Sequence, residues 1–177
     1  MKYTKKTDNA GRSSGMLSFA LCSLFLLLGA AAGCYSGSHV AADTLFLGEY
    51  GRSFGRCLAV NLAGVSLVFL LGSSSIGFVL LPVLNGAAGF ICGFLMSAAV
   101  LIEGGWGSAF ARCGWMIAFS LPMFSVLCVC AVRTSMSACR ALLVGGRVDG
   151  ETFSNFFKIL MISTALAVLM ALAASAA

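Results

Sequence analysis

Apolar residues fall along this chain in long blocks that hold almost no charge, separated by short polar or glycine-rich breaks. The longest block begins at Leu58, and no charged residue stands between Arg56 and Glu103. One crossing of a bilayer core takes roughly 20 residues of helix, so this block is long enough for two. Polar and flexible residues interrupt it at Gly72-Ser73-Ser74-Ser75. Backbone polar groups in lipid must be satisfied within the segment that carries them, which predicts two antiparallel membrane helices folded at that turn. Leu17–Gly33 predicts a helix before this hairpin, and Ile159–Ala177 predicts one at the end of the chain. Ser108–Ser120 is apolar apart from Arg112, too short to span comfortably, and is followed by Leu121-Pro122. Proline breaks a helix ladder or opens a new helix. The pattern therefore predicts a half-helix that dips into the membrane, then a full span over about Pro122–Leu142. The expected fold is all-α, a polytopic membrane helix bundle of about five transmembrane helices plus one short broken or re-entrant helix. Residues 1–15 are expected as an N-terminal tail, and residues 16–177 as a single integral membrane domain.

The second helix of the central block has a distinctive face. With Asn85 at zero and about 100° per residue, Gly86, Gly89, Gly93 and Ser97 fall within about a third of the circumference. Phe90, Ile91, Phe94 and Leu95 take the other side. Small residues at this spacing let a second backbone approach closely, which is how membrane helices associate without a hydrophobic drive. The face reads either as a packing seam or, with Asn85 as its polar group, as a site near the bilayer midplane. Asn61 and Asn85 lie twelve residues either side of position 73, so a hairpin folded there sets them at one depth, roughly 18 Å from the turn. Gly64 and Gly89 would permit close approach, and the two amides are expected to face each other or to share a third polar partner.

Composition fixes the class. The chain has 177 residues, 60% of them hydrophobic and 10% charged, against about a quarter charged in a soluble domain. That length suits one bundle with short loops and leaves no room for a separate soluble catalytic domain. The net charge of +5 comes from basic residues at the N-terminus and in a later loop. Positive-inside bias accounts for them without a nucleic-acid partner. It predicts a multi-pass protein of the cell membrane with a cytoplasmic N-terminus, a cytoplasmic Arg140–Lys158 loop and an external C-terminus. The charged start, apolar core and small residues Ala30–Gly33 also fit a secretory signal peptide, and Ala31-Ala32-Gly33-Cys34 faintly resembles a lipoprotein cleavage site. The length of the apolar run favours an uncleaved first helix.

Candidate chemistry is sparse. Most of the eight cysteines lie in or beside apolar runs, where cysteine behaves as a small hydrophobe. With no CxxC and no Cys/His cluster, neither a zinc nor an iron–sulfur site is expected. Cys34 and Cys57 flank one outer loop and would bridge only in an oxidising compartment. That loop, Ser36–Arg56, holds the single histidine, His39, with Asp43 four residues on. In a helix the pair could share a proton or a metal, but metal sites usually need more ligands, which favours a solvated loop histidine. HExxH and GxSxG are absent, and no histidine stands near a plausible nucleophile. The expectation is a protein that is not an enzyme and carries no cofactor.

From Asn61 onward the order of features resembles the stage II sporulation protein M family. The matching residues are Ile76-Gly77-Phe78, Pro82, Asn85-Gly86, Gly89-Phe90, Gly93-Phe94-Leu95, Gly105-Trp106-Gly107 and Leu121-Pro122. The resemblance covers about Leu58–Ala138 and, more loosely, the five-span plan. Some members carry a Pro-His-Gly segment followed by Glu after the glycine-rich helix, and this chain has no histidine there. The resemblance implies a membrane scaffold that holds cell-wall-degrading proteins at the septal membrane during engulfment. The expected partners are membrane lipids and other membrane or wall-remodelling proteins, with a homo-oligomer left open. A small transporter or permease subunit is the alternative, since Pro82, Pro122 and the midplane asparagines would suit broken helices around a binding site. The scarcity of intramembrane charge, Arg112 and Arg133 alone, speaks against it.

Overall fold

The computed structural model describes residues 4–39, 54–110, 115–144 and 150–176. Within them the regular elements are helices: α1 (Thr4–Ser38), α2 (Phe54–Ser73), α3 (Gly77–Glu103), the single turn α4 (Trp106–Ala109), α5 (Trp115–Val144) and α6 (Gly150–Ala176). Four of them carry apolar stretches long enough to cross a membrane: Gly15–Ser38, Gly77–Ile102, Ile117–Leu143 and Gly150–Ala173. The apolar part of α2, Leu58–Ser73, is shorter, roughly 24 Å at 1.5 Å per residue against a hydrocarbon core of about 30 Å.

The distribution of side chains is inverted relative to a water-soluble protein. Leu27 is 68% exposed and Leu142 74%, while Asn85 and Ser135 are 0% exposed. Large aliphatic side chains facing outward along nearly every helix would drive aggregation in water. In a bilayer they meet lipid. The chain is thus an all-α membrane helix bundle.

Neighbouring contacts give the directions of the helices. Gly29, Gly33 and Gly37 of α1 meet Gly86, Phe90 and Phe94 of α3 in ascending order, so these two run parallel. Asn85 pairs with Ser125 and Phe78 with Ser135, so α3 and α5 run antiparallel. Gly64 faces Phe124 and Gly72 faces Ala131, so α2 runs parallel to α5. Helix α5 is the hub, touching α1, α3, α2 and α6, which follow one another around it in that order. It supplies Leu127, Cys128, Ala131 and Val132 to a core completed by Cys22, Val68, Leu81 and Phe156.

Several expectations need correction. The polar N-terminal stretch is helical from Thr4 and continuous with α1. The hairpin turn lies at residues 74–76, with Gly72 and Ser73 still inside α2. Leu121-Pro122 does not divide a half-helix from a span. Pro122 sits inside α5, whose first residue is Trp115, and its ring is exposed. An outward-facing proline forgoes one backbone bond without driving its ring into a neighbouring helix. The short helical piece that precedes it is α4. Cys34 is exposed and free, while the side chain of Cys57 and all of Asp43 fall outside the described residues. His39 is exposed, with its ring 4.7 Å from that of Tyr35 in edge-on contact.

Candidate functional site

The glycine face predicted on α3 exists, and its partner is α1. A methyl group at Gly29 would overlap the carbonyl of Gly86, and one at Gly33 that of Phe90. In the other direction, Gly89 lies on Leu26 and Ala30, Gly93 lies on Ala30, and Gly86 on Phe25. Ser97 closes the seam, its Cβ set against Gly37. Two backbones thus touch through glycines on both sides, the mode by which small residues bring membrane helices into van der Waals contact. Such proximity also leaves room for weak Cα–H to carbonyl contacts, about 0.5–1 kcal/mol each. On α1 the buried positions Gly15, Ser18, Cys22, Gly33 and Gly37 recur at helical spacing, forming one continuous inward stripe.

At the end of this seam nearer the hairpin turn lies a polar node. The Asn85 amide nitrogen donates to the backbone carbonyl of Cys22 on α1 at 2.9 Å. Its oxygen accepts from the Ser125 hydroxyl on α5 at 3.2 Å. One side chain, fully buried, therefore ties three helices together. Pro82 is buried one turn before it on α3.

The expected Asn61–Asn85 pair is not what engages Asn85. The bonds it makes run to α1 and α5, whereas Asn61 is half-buried on α2. Helix α2 packs more extensively on α5 and α6 than on α3. Gly64 likewise faces Phe124, with an ideal Cβ 3.5 Å from the ring, and not Gly89. Asn85, Gly86, Gly89, Gly93 and Ser97 thus come together with Pro82 beside them, while Asn61, Gly64 and exposed Pro122 stand apart.

A second polar lock was not anticipated. The N-cap residue of α3, Ile76, offers no side-chain cap. Ser135 on α5 supplies one instead: its hydroxyl accepts from the Phe78 backbone N–H at 2.8 Å and donates to the Ser74 carbonyl at 2.6 Å. A helix start in a membrane leaves orphan N–H groups that water cannot reach, and this serine satisfies one of them across the bundle. Thr134, Ser163 and Thr164 instead bond back to the carbonyls of Cys130, Ile159 and Leu160, each four residues earlier.

Chemically, these arrangements hold helices together. Among the described residues no buried side-chain nitrogen or oxygen lacks a hydrogen-bond partner, and no three of His, Cys, Asp and Glu are grouped to hold a metal ion. No protein-family model matches the chain, and no curated protein or solved structure matches it.

Proposed function

We propose that the chain is a non-enzymatic membrane scaffold that recruits cell-wall remodelling proteins, during sporulation and engulfment or in a related membrane process. The observation that carries the scaffold reading is the use made of Asn85. A polar group near mid-bilayer is by default a candidate for a substrate or ion path. Here both ends of its amide are consumed in fastening α3 to α1 and α5. A rigid core with a lipid-facing surface suits a part whose task is to hold other proteins in place. The wall-remodelling partners rest on the ordered resemblance to the stage II sporulation protein M family.

Orientation follows from charge. Counted along the sequence over five crossings, Lys2, Lys5, Lys6, Arg12, Arg133, Arg140, Arg147 and Lys158 fall on the side of the N-terminus, while Arg52, Arg56 and Arg112 fall on the other. The positive-inside rule then sets the N-terminus in the cytoplasm and the C-terminus outside. The Ser36–Arg56 segment, whose two ends are helical in α1 and α2, becomes the external partner-binding segment.

Affinity purification in gentle detergent tests the reading, with the intact chain compared against one whose Ser36–Arg56 segment is replaced. Wall hydrolases that co-purify with the intact chain alone support it. A nucleotide-binding subunit in their place would favour a permease. Solute uptake by liposomes holding the purified protein would overturn the scaffold reading outright.

A further inference from the structure

We infer that the line of contact between α1 and α5, at the basic end of the bundle, holds the phosphate of an anionic phospholipid, with Arg133 as its deepest ligand. Arg133 lies within the apolar stretch Ile117–Leu143 of α5, roughly 15 Å of helix short of its end. It is exposed, yet its guanidinium lies directly over the backbone of buried Gly15 on α1. Gly15 is the first residue of the apolar stretch of α1, so the guanidinium sits at the level where that helix enters hydrocarbon. The three heavy atoms nearest to where a Gly15 Cβ would be all belong to Arg133. Glycine here makes a notch, and the arginine lies over it.

A guanidinium at this depth needs a counter-charge, because an unpaired arginine in a membrane helix is costly. Among the described residues no ion pair to Arg133 is formed. Of the chain's six carboxylates, Glu103 ends α3 at the opposite end of the bundle. Glu151 begins α6, which packs on α5 and α2, and Asp149 precedes it in the chain. Asp8 lies seven residues before Gly15 on α1, and Arg140 lies seven beyond Arg133 on the antiparallel α5. Those two therefore share a height about 10 Å further out. Arg140 falls on the same face of α5 as Arg133, and Arg12 lies one turn from Gly15 on α1. Arg133 and Arg140 thus bracket the layer in which headgroup phosphates lie. Arginine presents a planar fork of donors suited to phosphate oxygens, and basic pockets between membrane helices recognise anionic headgroups in this way.

The test uses the full chain, purified and equilibrated with mixed micelles holding equal amounts of phosphatidylglycerol and phosphatidylcholine. The retained lipid is weighed by native mass spectrometry. The wild type retains phosphatidylglycerol preferentially, and free glycerol phosphate in excess does not displace it. Displacement by glycerol phosphate would mean a site for soluble phosphate and overturn the lipid assignment. Arg133→Gln lowers the preference about fivefold, the factor that corresponds to about 1 kcal/mol per basic residue near the surface. Gly15→Val lowers it as well with every charge kept, because it fills the notch and pushes aside only the flexible end of Arg133. Lys158→Gln, exposed on α6 at the same end, leaves it unchanged. An unchanged preference in Arg133→Gln overturns the proposal. Equal losses in Arg133→Gln and Lys158→Gln also overturn it, since they would reveal diffuse surface charge. Helical circular dichroism of each variant, matched to wild type, shows that the fold is retained, and Arg133→Gln decides the matter if Gly15→Val does not fold.

Discussion

Two helix pairs on opposite sides of α5 are held by opposite means. Helices α1 and α3 meet backbone to backbone, with glycines on both partners and contact along most of the seam. Helices α2 and α6 meet through side chains: Phe69 stacks on Phe156 with ring centroids 6.2 Å apart, and Phe156 also fills the space over Gly72. Beside that stack an open groove of about 340 Å³ remains, lined by residues such as Leu62, Ser66, Phe69, Leu160 and Thr164. The difference shows what each pairing tolerates. A glycine seam has no side chain to move aside, so added bulk must displace a backbone. An aromatic contact bordering a groove has room, and lipid tails can occupy what the protein leaves open.

The largest expected effect comes from placing bulk in the seam. Gly33→Leu drives a side chain into the Phe90 carbonyl, an atom fixed by the hydrogen bonding of its own helix. It should destabilise the bundle by about 3 kcal/mol, the upper end for overpacking, as read by reversible unfolding in mixed micelles. A loss below about 1 kcal/mol would show that α1 and α3 slide apart freely, and the contrast between the pairs would dissolve.

The α3 half of that seam is legible in the sequence and its partner is legible too, although sequence proximity points elsewhere. Neighbours along a chain usually pack together, and the Gly72–Ser75 break therefore assigns α3 to α2. Yet α2 carries Gly55, Gly64 and Gly72 at intervals of eight or nine, whereas α1 carries Gly29, Gly33 and Gly37 at every fourth position. A glycine seam needs small residues at matched spacing on both helices, and only α1 provides them. The same proximity argument misassigns Asn85. Depth arithmetic gives its height correctly but says nothing of the direction in which it points. The Ser135 cap lies 57 residues from the N–H that it serves, and no local pattern marks it. Pro122 is the reverse case, since a local rule predicts a break and an outward-facing ring lets the helix run through.

Next in size is the lock at the hairpin turn. Ser135→Ala removes the acceptor for the Phe78 N–H and the donor to Ser74, from a side chain that is itself fully buried. Capping losses run about 0.5–2 kcal/mol, and a buried orphan N–H adds to the cost, so about 1–2 kcal/mol is expected in the same unfolding assay. Because Ser135 belongs to neither helix pair, this loss should add to that of Gly33→Leu within about 0.5 kcal/mol. Strong non-additivity would mean that seam and turn form a single cooperative unit.

A double-mutant cycle sharpens the seam itself. Asn85→Ala combined with Ser125→Ala should show a coupling of about 0.6–1.7 kcal/mol, the range found for hydrogen bonds between membrane helices. The cycle of Asn85→Ala with Asn61→Ala should show none, since the amide of Asn85 is engaged by α1 and α5. Coupling in the second cycle and none in the first would restore the α2–α3 pairing and remove the polar node from the seam.

The smallest expected effect is the most discriminating. Ser66 lies exposed on α2 and borders the groove beside α6. Ser66→Leu adds the same side chain as Gly33→Leu at a comparable place along a helix, but into space that no backbone occupies. The hydroxyl it replaces meets lipid rather than the core, and a leucine there meets lipid or the open groove. Surface changes of this kind usually stay within about 0.5 kcal/mol, and any shift should be toward stability, because the new side chain can lie along Phe69 and Leu160. The two variants, unfolded side by side in the same micelles, therefore differ by about 2.5 kcal/mol or more if bulk is refused only where glycines face each other. A Ser66→Leu loss equal to that of Gly33→Leu would mean that the groove is closed in the membrane. Both pairs would then be packed to the same limit, and glycine would not be what sets α1 and α3 apart.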